Sequence, residues 1–349
     1  MPTPTLQLVL LLVAVLLPSP AGGSRGDRLE GFRRCEAACR GVGPPHCASA
    51  YGRPAVGCVG ASASLLHRLA GAGQGAADPA AVERECALLC ASAVAAYLKE
   101  TGRPAEKFHG RWAFRRSGGL AEPLSAAFSV LNASAHLEGW LAFRRAYNAA
   151  PEAAAKAYPW APLWALYALL NLLMWAGSTA WHSTATDATE KADYAGVTLA
   201  AMGSLLVALA RAADLRTPRR WAWLAAALGP VYAGHAAYLL LPSSIDYGWN
   251  LKFHVGTSVL NSAVWLAWAF RRRHPARHVL LRFVALIYAA LALEVLDFPP
   301  VAGLLDAHAC WHAVTVPLIS GTAASFWTFV LGDLRYALAA GDETKAKVA

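Results

Sequence analysis

Five residues in this sequence could together run a hydrolysis. Ser178 and His182 lie four apart, His308 and His312 lie four apart, and Asp193 follows soon after His182. Residues four apart stack on one face of a helix, so each pair offers its side chains in one direction. Two histidines one turn apart can grip a single metal ion, and a third from another helix completes a three-ligand set. The fourth position of such a site is left to water, which distinguishes catalytic from structural zinc. Zinc in that setting lowers the pKa of water to about 7. Asp193 would take the water's proton or hold the water in line. Ser178 would donate to a developing oxyanion. A covalent role for Ser178 is the weaker reading, because zinc already supplies a nucleophile.

The spacing alone is not specific. His274 and His278 repeat it, but they flank Pro275 among arginines and are expected to be solvated in a loop. His235 and His254 are expected to be structural. The five residues stand out because they sit at the ends of apolar runs, where polar groups are costly and face a protein interior or a wet cavity.

Those runs dominate the chain. Of 349 residues, 56% are hydrophobic and only 15% charged, whereas a soluble domain carries about 25% charged residues. The expected class is therefore an all-α, polytopic membrane protein. Apolar stretches near twenty residues long predict seven spans, at about 122–143, 159–181, 191–212, 220–242, 251–270, 278–296 and 306–331. The net charge of +9 does not argue for nucleic acid, because the arginines gather in short loops between the runs. In the first span Asn132, His136 and Glu138 are expected to face the bundle. The sequon at Asn132 is expected to stay unmodified.

Ahead of the spans, Leu6 to Leu17 is a short apolar run ending in Pro18, Pro20 and small residues. It predicts a signal peptide over 1–23. Six cysteines follow, at 35, 39, 47, 58, 86 and 90. An even cluster behind a signal peptide predicts disulfides in an oxidising lumen, with 15 pairings open. A zinc module is the rival reading. The predicted organisation is a cysteine-rich lumenal domain over 24–120, a helical hydrolase domain over 121–332 and a cytoplasmic tail over 333–349. Basic loops after spans one, three and five predict a lumenal N-terminus. That topology brings Ser178, His182, Asp193, His308 and His312 to the same side of the membrane.

The order Ser178-Thr179-Ala180-Trp181-His182, then Asp193, then His308-Ala309-Cys310-Trp311-His312 resembles the seven-span zinc hydrolase superfamily. That group includes the alkaline ceramidases and adiponectin-receptor-like proteins. Within it, the chain most resembles the Per1-like family. The likeness includes Phe108-His109-Gly110-Arg111-Trp112, Glu122-Pro123, Asp246-Tyr247-Gly248, Leu296-Asp297-Phe298-Pro299-Pro300 and Leu305-Asp306-Ala307-His308. The resemblance implies a GPI-specific phospholipase A2 of the Golgi membrane. Such an enzyme removes the sn-2 acyl chain from the lipid of GPI-anchored proteins. It also implies zinc on His182, His308 and His312, with Ser178 and Asp193 as the catalytic pair. A ceramidase-like amidase and a non-catalytic membrane factor with structural zinc are the alternative functions.

Overall fold

The computed structural model describes residues 24–42, 79–115, 119–152, 155, 158–242 and 245–346. These residues form ten α-helices and two isolated bridges, so the chain is all-helical where described. The predicted signal peptide lies outside the described residues.

The N-terminal unit is a pair of helices, α1 (Glu30–Val42) and α2 (Pro79–Glu100). Cys35 and Cys39 stack one turn apart on α1, as Cys86 and Cys90 do on α2. The helices run antiparallel, so the bonds form a two-rung ladder, Cys35–Cys90 and Cys39–Cys86, with both Cα pairs 5.7 Å apart. Four cysteines are thereby spent on disulfides, which removes them from any zinc module. Cys47 and Cys58 lie outside the described residues. Phe32, Val94, Leu98 and Phe108 close around the ladder as a small core. So small a unit buries little apolar surface, and disulfides make up the shortfall by restricting its unfolded states.

Eight helices make the main body: α3 (Pro123–Asn148), α4 (Ala161–Thr184), α5 (Asp187–Ala212), α6 (Pro218–Leu240), α7 (Tyr247–Arg271), α8 (Arg277–Leu296), α9 (Ala307–Ile319) and α10 (Phe326–Ala346). Proline stands in the first turn of α3, α4 and α6, where its missing N–H costs nothing. The packing closes a ring: α3 against α4, α4 against α5, then α7, α8 and α9 back to α3. Helix α6 packs outside it, on α5. Asn132 and His136 turn inward on α3, as expected, whereas Glu138 is exposed. Asn132 donates to the carbonyls of Phe128 and His312, and so is not offered to a glycosyl donor. Gly139 lets Trp327 of α10 lie flat on α3, since a Cβ there would fall 2.1 Å from the indole.

Three helices, α4, α5 and α8, are long and apolar enough to cross a membrane. The last predicted span, 306–331, is not one helix. It divides into α9 and α10 across residues 320–325. Pro317 weakens the end of α9, Ser320 is extended, and Gly321 takes a left-handed φ of 82°. The 13 residues of α9 reach about 20 Å, against about 30 Å of hydrocarbon. Helices α9 and α10 occupy one sector of the ring, between α8 and α3.

One further expectation is corrected here. His274 is not solvated but fully buried, packed against Trp268, Phe329 and Tyr336, while His278 is exposed. The basic loop folds back so that this ring fills the bundle end, a tertiary effect that local spacing does not encode.

Candidate metal centre

The ring of helices brings three histidines together. His182 comes from the last turn of α4; His308 and His312 come from α9. One nitrogen from each lies within 4.8 Å of the others. Helix α9 is started by Asp306, whose carboxylate accepts from the Ala309 amide at 2.8 Å. Asp306 therefore serves as the N-cap of α9. Helix α4 ends on Ala185 in a left-handed conformation, one residue past the turn that holds His182.

Each imidazole is gripped from behind. His182 donates from Nδ1 to Glu122 Oε2 at 2.7 Å, and His308 donates from Nδ1 to Glu294 Oε1 at 2.8 Å. A carboxylate can only accept, so both hydrogens sit on Nδ1. For His312 the same follows at one remove. Ser129 Oγ donates to the Ser125 carbonyl at 2.8 Å, which leaves it to accept from His312 Nδ1 at 3.0 Å. All three Nε2 atoms then turn their lone pairs to a common centre.

Two observations test whether a metal suits that centre. The Nε2 atoms of His308 and His312 face each other at 2.9 Å, so with both rings carrying hydrogen on Nδ1 a proton or a metal ion must lie between them. The Nε2 of His182 is buried with no hydrogen-bond partner. A proton shared by the α9 pair leaves His182 unsatisfied, whereas one metal ion satisfies all three. Carboxylates behind the ligands fix the tautomer and raise ligand basicity, a recurrent feature of zinc sites. The donor set therefore fits zinc, with other imidazole-binding divalent metals close behind.

Ser178 and His182 share a face of α4, as their spacing requires. Ser178 is buried and donates to Ser129 Oγ at 3.2 Å, one hydrogen bond away from His312. Asp193 is not among the converging ligands. It sits in the second turn of α5, beside α4, with Oδ1 buried and without a partner. Gly177 permits that approach: a Cβ there would lie 3.3 Å from the Ala192 carbonyl and 3.5 Å from Asp193 Cα. His182 and His312 are almost fully buried, but the His308 side chain is 41% exposed. Access to the centre is thus from the α8–α9 side.

Glu294 and Ser129 touch the candidate ligands and were missed by sequence reasoning, and Glu122 had no assigned role. The signals were present. Glu294 is the one carboxylate in the apolar run of α8, and Ser125, Ser129 and Asn132 share a face of α3. His235 and His254 stand apart from the triad. His235 stacks on Phe253 at 3.7 Å, and His254 meets Thr198 Oγ1 at 3.3 Å. Thr186 caps α5 in a capping box with Thr189, while Asp187 and Glu190 occupy its first turn. Asp187 pairs with Arg84, and Glu190 accepts from Tyr247, so these acids tie α5 to its neighbours.

Comparison with known proteins agrees along most of the chain. The profile of the Per1-like family matches residues 79–334. A cattle protein named GPI-specific phospholipase A2-like PGAP3 is 32% identical over 351 residues, covering 99% of this chain and 98% of its own. The human protein of that name is 31% identical, covering 95% of each chain. Post-GPI attachment to proteins factor 3 of Drosophila melanogaster is 33% identical over 68% of this chain and 71% of its own. No solved structure matches. With the profile covering well over half of its residues, this chain belongs to the Per1-like family.

Proposed function

We propose that this protein is a GPI-specific phospholipase A2, a zinc-dependent ester hydrolase that removes the sn-2 acyl chain from the lipid of GPI-anchored proteins. The observation that carries the chemistry is the convergence of three imidazole Nε2 atoms, each oriented from behind. The relatives' names, at near full-length similarity, supply the substrate. The protein resides in the Golgi membrane. A signal peptide (1–23) precedes a lumenal domain (24–120), a hydrolase domain of seven crossings (121–332) and a cytoplasmic tail (333–349) whose first residues, Asp333 and Leu334, still pack in the helical body. The seventh crossing is then the broken pair α9 and α10. The centre, at the C-terminal end of α4 and the N-terminal end of α9, falls at the lumenal surface, where GPI lipids lie.

His182, His308 and His312 hold the ion, which when bound supplies a water acidic enough to react at neutral pH. Glu122 and Glu294 keep the rings of His182 and His308 aimed. Asp193 accepts the proton of the attacking water and passes it to the departing glycerol oxygen. The carbonyl carbon gains the water oxygen and loses the sn-2 oxygen, giving a free fatty acid and a lyso-lipid. Ser178, by turning its hydroxyl from Ser129, donates to the carbonyl oxygen as negative charge gathers there.

The test is mass spectrometry of purified protein incubated with a GPI-anchored substrate, beside His312→Ala. Fatty acid and lyso-GPI from wild type alone is the expected result. No release by metal-loaded, folded wild type overturns the proposal, and turnover of ceramide instead would assign an amidase.

A further inference from the structure

A cavity of about 310 Å³ lies between the disulfide-laddered pair and the roof of the helical body. Its size is at the lower end of the range that holds small ligands. One wall comes from α1, α2 and the segment around Trp112; the other comes from the ends of α4, α5 and α7. The rings of Trp112, Trp181 and Tyr247 line it, together with the carboxylates of Glu122, Asp187 and Glu190. The arginines at its surface are paired: Arg84 with Asp187 at 2.5 Å, and Arg111 with Glu122 at 3.2 Å. Arg111 also stacks over Trp181 at 4.1 Å.

This lining is not that of an acyl-chain tunnel, which would be apolar throughout. Nor is it a bare phosphate site, because every one of its arginines meets a carboxylate: Arg40 is held by Glu83 at 2.9 Å. Aromatic rings with fixed carboxylates and guanidiniums suit a polyhydroxylated ring, whose C–H face packs on the aromatics while its hydroxyls and any ammonium meet the carboxylates. The cavity also adjoins the metal centre. Glu122 gives Oε1 to Arg111 on the cavity side and Oε2 to His182 on the metal side.

We propose that this cavity holds the glycan of the lipid substrate, and that the N-terminal pair is therefore part of the substrate site. The inference rests on the GPI reading above and adds which part of the molecule selects the glycan. Held there, the sugar next to the inositol fixes the lipid with its ester toward the three histidines.

The test is binding, not turnover. Full-length protein in detergent is titrated with deacylated glucosaminyl-inositol phosphate and, separately, with inositol phosphate, followed by saturation-transfer NMR. Wild type and His312→Ala should bind the glucosaminyl probe alike and more tightly than inositol phosphate. Trp112→Ala and Glu190→Gln should each weaken it by about tenfold, while Trp112→Phe, which keeps a ring, should hold it nearly as well. No binding by wild type overturns the proposal. Equal binding by Trp112→Ala overturns it, and so does equal affinity for inositol phosphate. Because His312→Ala is assayed for binding without hydrolysis, failure of the enzymatic reading and failure of this one are told apart.

Discussion

The two ends of the helical body each bury a polar cluster, and the clusters are built on opposite terms. At the far end, roughly 30 Å along α4 from the histidines, Asp333 is fully buried and fully met. Arg211 donates to both its oxygens at 2.8 and 3.0 Å, and Tyr158 donates at 2.8 Å. Trp164 donates in turn to Tyr158, and the Arg211 guanidinium lies over the rings of Trp160 and Trp268. His274 Nε2 approaches the same carboxylate at 3.4 Å without completing a hydrogen bond, so the contrast rests on Asp333 and its donors, not on this ring. At the histidine end, by contrast, His182 Nε2 and Asp193 Oδ1 are buried without partners. A buried polar group without a partner costs stability unless something else meets it. The Asp333 carboxylate, met on both oxygens, ties α5 and α10 to the segment that leads into α4. The histidine end leaves two groups open, which the metal centre proposed above would use.

The comparison can be broken most sharply with His312→Ala. It should abolish fatty-acid release, by a factor of 1,000 or more as an order-of-magnitude expectation for loss of a metal ligand, while the thermal midpoint of metal-free protein stays close to wild type. A large fall in that midpoint would mean the histidine end is structural after all. Asp333→Ala reverses the pattern. It strands Arg211 in the interior and should cost about 3–5 kcal/mol, read as a lowered unfolding midpoint in detergent. Unchanged stability would show that the far-end pair contributes nothing net.

The next two variants sharpen the contrast. Glu294→Gln keeps the shape but loses the carboxylate behind His308. It should weaken metal binding by about 10–100-fold, measured by competition with a chelator. Unaltered affinity would remove Glu294 from the site. Tyr158→Phe is the smallest change. It deletes one of several donors to Asp333 and should cost about 1 kcal/mol of stability, with hydrolysis unaffected. A loss of activity there would couple the two ends.

Much of this was legible in the sequence. The helical class followed from composition, and the four-residue spacings gave both Ser178 with His182 and His308 with His312. The same spacing occurs in Cys35 with Cys39 and in Cys86 with Cys90, but the sequence left 15 pairings open, and only the antiparallel packing of α1 on α2 selects the ladder. What stayed hidden depends on contacts between distant segments. Glu294 becomes a partner of His308 only when α8 packs on α9, and Ser129 reaches His312 only because α3 closes the ring. His274 looked solvated because its neighbours are charged, yet the loop turns it inward. The break at 320–325 was signalled by Pro317 and Ser320-Gly321-Thr322, but the apolar residues on both sides allowed the stretch to be read as one span.

The short helix α9 has a consequence for how the protein is made. It carries two of the three converging histidines and leaves the ribosome after α3 to α8. Until residue 312 has emerged, His182 has Glu122 as its partner and no metal centre exists. In the proposed reading, metal capture therefore waits for α9. A chain cut short before α9 would lack both the ion's grip and the closure of the ring, and would present an open seam between α3 and α8 to the cell's quality control.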